Sequence, residues 1–488
     1  MKTAALHELG QLDAWVLSTY QRLERMDVPV FDVAGTAPIR DLTRDVVPAT
    51  LYRLPTALPH CAGDFGNWLR TGHLPGIVGQ DSVTRLSMLL RYLAAPLRYE
   101  PETESPVHKA VPSARCLFPI DYYLLQRRGG MTRAWQYVPE HHGFIAADFD
   151  ATADFTGESA LVAVAKIWRI AEKYGEFAHF PPVLEAGHAA AQIGYLAAAF
   201  GLEGLSVSSR EIGRGLCRSR FDLPLFTVDL SVPELDVASS LESATVRVLV
   251  TGERGGLGER FDRLITFQNL FDRGAVLPRA VGGRAPAVGS ADLGIDFLEV
   301  LRRRNAGNDR SGTAAMMLDA PAELLPDLLG LWRQVAARRP QLPGEAVTTA
   351  SLAWLAGGAA APGLYASDGG LRTPGRSLSE FRAAVAGMLP YRGMRFNLAT
   401  LAATLVITAD PLTAVEQLGA SAIREVHLAA GAIAQDFSLA ATALGLFARP
   451  VRMMREAAIE RALPLDGQTV YQVLCGVARR ASMSMELL

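Results

Sequence analysis

The chain has 488 residues, enough for two or more domains, and 49% hydrophobic with 20% charged residues excludes a mostly disordered polymer. Its 48 basic and 50 acidic residues nearly cancel, so no broad basic surface for nucleic acid is expected. Cys61, Cys116, Cys217 and Cys475 stand far apart with no CxxC or Cys/His cluster, which argues against a disulfide framework and against a metal site.

The first residues, MKTAALHELGQLDAW, carry acidic groups and no apolar core segment, so they do not read as a secretory signal and a cytoplasmic protein is expected. CLFPIDYYLL (Cys116–Leu125) reads as a strand, and YVPEHHGF (Tyr137–Phe144) reads as a hairpin turn that exposes His141 and His142. AEKYGEFAHFPPVLEAGHAAAQIGYLAAAFGL (Ala171–Leu202) sets a Lys-Tyr pair before a long Ala-, Gly- and Leu-rich helix. Within it, Glu185 and His188 read as a capping and packing pair near the Pro181–Pro182 helix start. PLFTVDLSV (Pro224–Val232) and TVRVLVTG (Thr245–Gly252) are further strands, and AVGGRAPAVGSADLG (Ala280–Gly294) has the Gly/Ala/Pro composition of a linker. A helix then ends in Arg302, Arg303 and Arg304, before the strand ATLVITA (Ala403–Ala409). HLAAGAIAQDFSLAATALGLFA is apolar enough to raise the question of a membrane, but Gln435 and Asp436 in its middle favour a buried globular helix.

The chain repeats itself. LEAGHAAAQIGYLAAAFGL (Leu184–Leu202) aligns without gaps on LAAGAIAQDFSLAATALGL (Leu428–Leu446) at an offset of 244, which places Gly187 on Gly431 and Gly201 on Gly445. Gly175 falls on Gly419 at the same offset, and TVRVLVTG is similar to TVYQVLCG (Thr469–Gly476). So long a period means duplicated domains and not a solenoid. The expected organisation is an N-terminal segment 1–75 without assigned role, a first domain 76–279, a linker 280–294 and a second domain 295–488. Each domain is expected to be α+β, with helices against a sheet.

Several stretches resemble the nitroreductase-fold superfamily, and within it the azoline dehydrogenases that oxidise thiazolines and oxazolines during modified-peptide biosynthesis. KAVPSARCLFPIDYYLL (Lys109–Leu125) is similar to the family's Pro-Ser-Ala-Gly-Ala-Leu-Tyr-Pro segment, with Arg115 for the usual Gly. KYGEFAHFPPVLEAGHAAAQ is similar to its Lys-Tyr-Gly and Glu-Ala-Gly-His segments, and PGLYASDGGL (Pro362–Leu371) to a stretch between those two. FLEVLRRRNAGNDRSG (Phe297–Gly312) resembles its Arg-Arg-Ser-x-Arg opening, with Asn305 for Ser and extra residues before Arg310. The resemblance implies two fused nitroreductase-like domains that form an intramolecular pseudo-dimer, with FMN at their interface.

That implication assigns residues. Arg302, Arg303, Arg304 and Arg310 would bind the flavin phosphate, with Arg479 from GVARR completing the site; on their own, the same arginines also read as a solvated helix end. Ser113 and Ala114 would meet the flavin ring, or form a plain turn. Lys173 and Tyr174 would take and position a substrate proton, or lie as a surface Lys beside a rim Tyr. The second half has VTTASLAW in the Pro-Ser-Ala place and Gln417 and Leu418 opposite Lys173 and Tyr174, while the first half has only LYRLPTALPH in the arginine place. The halves are therefore complementary, and one composite FMN site per chain is expected. Three readings stay open: an FMN-dependent dehydrogenase of azolines in a peptide or carrier-bound substrate, working with other biosynthetic enzymes; a nicotinamide-dependent nitro, quinone or enone reductase; and a non-catalytic peptide scaffold.

Overall fold

In the computed structural model the chain forms two α+β halves, each with an antiparallel sheet and helices packed on it. The structure describes residues 42–487 except 102, 104, 151–157, 203–206, 209–210, 231–235, 254–255, 262–263, 273–292, 310–311, 314, 317–318, 322, 359, 373–376, 387–400, 453 and 479–484. Most of the expected linker lies outside the described residues.

The first sheet runs β7-β1-β4-β3-β2-β5-β6, with the short strand Val207–Ser208 at its far edge. In chain order these are β1 (Leu42–Arg53), β2 (Ile120–Arg128), β3 (Met131–Val138), β4 (Gly143–Ala147), β5 (Ser159–Lys166), β6 (Asp222–Asp229) and β7 (Ser243–Glu253). The second sheet is built on β8 (Thr348–Trp354), β9 (Gly363–Ala366), β10 (Ala403–Ala409), β11 (Phe447–Val451) and β12 (Gln468–Ala478), in the order β12-β10-β8-β9 with β11 also on β12. β5 and β10 are buried at every position, because each has a neighbour on both sides and helices over its face.

The repeat extends to irregularities of the ladder. The β5–β6 register slips between Ala163 and Val164, and the β10–β12 register slips between Ile407 and Thr408, the same place at the 244 offset. The counterpart of β12 is therefore β6. The likeness of TVRVLVTG to TVYQVLCG is a false pairing: β7 sits at the opposite edge, pairs with β1 and is largely exposed, whereas β12 is largely buried. Two short β-branched runs that end at Gly look alike whatever their neighbours.

Residues 42–75 also depart from the expected separate segment, since β1 is built into the first sheet through β7 and β4. Helix α1 (Phe65–Thr71) matches helix α5 (Phe297–Arg303), each capped by an aspartate, Asp64 or Asp296. The two starts pair across the halves: Phe65 N donates to Ile295 O at 2.8 Å and Phe297 N to Gly63 O at 2.9 Å. GDFGNWLR is thus the true partner of IDFLEVLR, and LYRLPTALPH is not.

At the centre, α4 (Phe180–Phe200) crosses α8 (Ala422–Ala443). A Cβ on Gly187 would stand 2.0 Å from Leu428 O, and one on Gly431 would stand 2.1 Å from Leu184 O. Only glycine permits that approach. One hydrophobic core runs through both halves, and Trp68 packs against both Tyr195 and Phe297. The halves are a fused pseudo-dimer.

The turn between β3 and β4 exposes His141 but buries His142. The His142 ring nitrogens lie 2.7 Å from Ser87 Oγ and 2.8 Å from Tyr137 OH, and burial pushes its pKa down to about 4. A polar pair in a turn gives no sign that one member folds inward to fill a gap beneath helix α2 (Ser82–Ala94).

Candidate active site between the halves

The segment Lys109–Phe118 approaches the central helix from the first half. Arg115 and Cys116, both at φ 53°, and Phe118 at φ 45° hold left-handed conformations that non-glycine residues adopt at a cost. Ser113 fastens this turn: its Oγ donates to Glu185 Oε2 at 2.5 Å and accepts from Phe118 N at 3.0 Å. Lys109 Nζ lies 4.2 Å from the Phe118 ring centre.

Glu185 is fully enclosed, and burial pushes its pKa up to about 8, with the Ser113 hydrogen bond and the Lys109 charge pulling it back. One turn along α4, His188 faces the other half. Its Nδ1 lies 2.9 Å from Gln435 Oε1 and its Nε2 lies 3.3 Å from Tyr471 OH. Burial drives the His188 pKa down to about 3, so the ring is neutral. Glu185 and His188 are therefore not a local capping pair: the first reaches the Ser113 turn, the second reaches across the interface. Gln435 continues the network to Gln192 at 2.9 Å.

Helix α5 brings the arginines of the second half. Arg302 is enclosed by Glu299 at 2.8 Å, His60 O at 2.9 Å and Tyr92 OH at 3.0 Å. Arg303 is exposed and pairs with Glu299. Arg304 points inward, only 4% exposed, and its Nη2 donates to Lys109 O at 3.1 Å. Among the described residues its Nε and Nη1 find no hydrogen-bond partner, and neither does Nη2 of Arg98. Arg98 donates to Arg304 O at 3.1 Å and pairs with Glu100 at 2.7 Å. Glu100 also faces His108, whose pKa burial lowers to about 4. Glu100 thus pairs with Arg98 and acts on Arg304 only through space. Burial, and then Arg98, pull the Arg304 pKa down to about 10. A buried cation with unsatisfied donors is costly unless an anion completes it, so the residues present fit a phosphate.

Lys173 and Tyr174 end helix α3 (Trp168–Tyr174). Lys173 is exposed; Tyr174 is half-buried, packs on the core and lies within electrostatic reach of Tyr471. Adjacent helical residues diverge by about 100°, so the pair splits between rim and interior. The structure therefore gathers Ser113, Ala114, Arg304 and Tyr174 near the interface, and leaves Lys173 and Arg303 outside it. Arg310 and Arg479 lie outside the described residues. Lys109, Arg98, Glu185 and Tyr471 were not singled out from sequence as site residues; Lys109 and Glu185 stand inside the two stretches that carry the resemblance.

The opposite end of the pseudo-dimer differs. The short 3-10 turn Pro343–Val347 precedes β8, as the Ser113 turn precedes β2, so Gly344 and Glu345 take the places of Ser113 and Ala114. VTTASLAW is the following strand instead. Gly72, closing α1, takes the place of Arg304. Helix α7 (Pro411–Leu418) ends at Gly419 with φ 56° and ψ −134°, nearly the Gly175 values of 53° and −134°, so Gln417 and Leu418 do stand opposite Lys173 and Tyr174.

Residues 373–478 match the sequence profile of the nitroreductase family. In structure the chain is similar to an Anabaena variabilis protein described as a nitroreductase, with a TM-score of 0.61 and 18% identity over 81% of this chain and 88% of that one. The chain has the nitroreductase fold. The similarity covers 81% of this chain, so it runs through both of its halves. Weaker similarities reach the E. coli microcin synthetase McbBCD complex with truncated pro-MccB17 bound (TM-score 0.29, 16% identity, 36% of this chain and 72% of that one). They also reach a nitroreductase from Exiguobacterium sibiricum in complex with FMN (TM-score 0.27, 14% identity, 39% and 91%). No curated protein matches the chain. Among the described residues no cluster of His, Cys, Asp and Glu could hold a metal, and no helix is long and apolar enough to cross a membrane.

Proposed function

We propose that the chain is an FMN-dependent dehydrogenase that oxidises a thiazoline or oxazoline, in a peptide or a carrier-bound intermediate, to the aromatic azole. The observation that carries this reading is the under-partnered positive charge of Arg304, from the second half, beside Arg98 and the Ser113 turn of the first half. Arg304 and Arg98, with Arg310 and Arg479, would hold the phosphate, Arg302 would brace the helix end through Glu299 and Tyr92, and the Ser113–Ala114 turn would face the ring. The chemistry supplied by bound FMN is acceptance of a hydride.

The chain's own residues do the rest. Glu185 fixes Ser113 and hence the turn. Lys173, which lies at the rim without flavin or substrate, would take the proton from the ring carbon next to the one that loses hydride only as a neutral amine, once bound substrate buries it and lowers its pKa, and Tyr174 would position it. Other biosynthetic enzymes would install the azoline first, which makes them natural partners.

The test starts with the absorption spectrum of purified protein. One FMN per chain is expected, followed by conversion of an azoline peptide under air. Rapid bleaching by NADH or NADPH without oxygen would move the reading to a nitro, quinone or enone reductase. A colourless protein that FMN cannot reconstitute would leave only a scaffold role.

A further inference from the structure

The second half holds a cavity beside its Pro343–Val347 turn, and nothing so far uses it. Its volume is about 680 Å³, within the range of small-molecule sites. Helix α6 (Leu324–Ala336) forms one wall with Trp332; Ala346, Ala350 and Ile433 supply other apolar surface, and Glu345 and Asp436 supply acid.

Charge gives the cavity its character. Arg339 is clasped by two carboxylates: its Nε and Nη2 donate to Asp436 at 2.8 and 2.6 Å, and its Nη1 and Nη2 donate to Glu345 at 2.6 and 3.2 Å. The Tyr195 hydroxyl also donates to Asp436, closing the back of the group from the first half. One guanidinium between two carboxylates leaves a surplus negative charge. It falls toward the cavity, because the Asp436 side chain is 1% exposed and that of Glu345 is 15%. Arg333 also lines the cavity, but it is exposed and its charge is screened by solvent.

Comparison with the other end sharpens this. Glu345 stands where the first half has Ala114, Asp436 where it has Gln192, and Gly72 where the other end has Arg304. Two acids are gained, Arg339 balances one of them, and the cation in the Arg304 position is lost, so the balance here disfavours a phosphate and favours a cation. We propose that this cavity is a separate binding site for a small organic cation, an ammonium or amidinium on a compact apolar body. The site lies wholly in the second half and does not depend on what the first end binds.

The probes are benzamidine, its neutral isostere benzamide, and benzoate, titrated calorimetrically into the full chain. Benzamidine is expected to bind once per chain, at least about tenfold tighter than benzamide, with no binding of benzoate. Glu345→Gln should weaken benzamidine at least about tenfold. Ala350→Leu fills the cavity without touching the Arg339 group and should abolish binding even if Glu345→Gln fails to fold. Equal affinity for benzamide, no benzamidine binding, or unchanged binding to Ala350→Leu would each overturn the proposal. Flavin content, read separately by absorbance, should be the same in both variants as in the parent.

Discussion

Gly187 and Gly431 meet across the centre as equals, whereas the turns on either side of them have become opposites. Each glycine admits the other helix's backbone, and neither can change without the other half feeling it. The turn at one end carries Ser113 against a protonated Glu185 with buried arginines behind; the turn at the other carries Glu345 on Arg339. Contacts between two copies are kept in duplicate because both copies need them. Groups that face a ligand are free to diverge once a single chain holds both ends.

The largest effect should come from breaking the part that is shared. Gly431→Leu drives a side chain into Leu184 O, which a Cβ would already approach to 2.1 Å. We expect a loss of at least about 3 kcal/mol, or no folded protein, by thermal denaturation. A half-buried glycine with open space around its Cβ position, such as Gly330, should tolerate the same change with far less loss. Similar behaviour of the two would mean that the crossing is looser than drawn.

Next comes the part that differs. Arg304→Met removes a buried, under-partnered cation and should make the flavin-free protein as stable as the parent or more so. The same change should weaken FMN by tenfold or more, about 1.5 kcal/mol or above, since hydrogen bonds to a charged group are lost. Unaltered FMN affinity would place the phosphate elsewhere.

The pH dependence is a gentler probe of the same contrast. Glu185, with its pKa raised to about 8, contributes stability that is full below its ordinary value of 4.5 and is lost as pH rises through 8. The buried histidines act in the opposite sense. His108, His142 and His179 at about 4, and His188 and His427 at about 3, refuse protons that the unfolded chain accepts below 6.5. Stability should therefore fall steeply below a maximum near about pH 6.5 and decline more gently above it, by about 1.4 kcal/mol per pH unit for the single carboxyl. Glu185→Gln should flatten the alkaline limb and slightly steepen the acid limb above about pH 4.5. A limb of unchanged slope would show that Glu185 ionises freely.

Much of this design is legible in the sequence, for uneven reasons. The central helices repeat residue by residue, because close packing constrains every position, and so Gly187 and Gly431 could be paired by eye. The β7 error arose because short strands carry no record of their partners. Helix α1 was missed because only Asp64, Phe65, Leu69 and Arg70 match α5, the later arginines having given way to Thr71 and Gly72. Glu185 and His188 lie three apart on one helix, which suggested a pair; their different neighbours come from elements far along the chain, which spacing cannot report.

The smallest structural change is Lys173→Ala. The side chain is exposed at the last turn of α3, so its removal should alter stability by no more than about 0.5 kcal/mol and leave bound flavin unchanged. Turnover of an azoline peptide should nonetheless fall by about a hundredfold or more if this lysine takes the proton. Tyr174→Phe keeps the ring on the core and removes only the hydroxyl, so it should retain more activity than Lys173→Ala while shifting the pH profile. Full turnover in Lys173→Ala would hand the proton to the interior instead, where the Lys109 charge already acts on Glu185 beside Ser113. The rim-and-interior split of the Lys-Tyr pair is thus decided by one exposed side chain, whose loss costs the fold almost nothing.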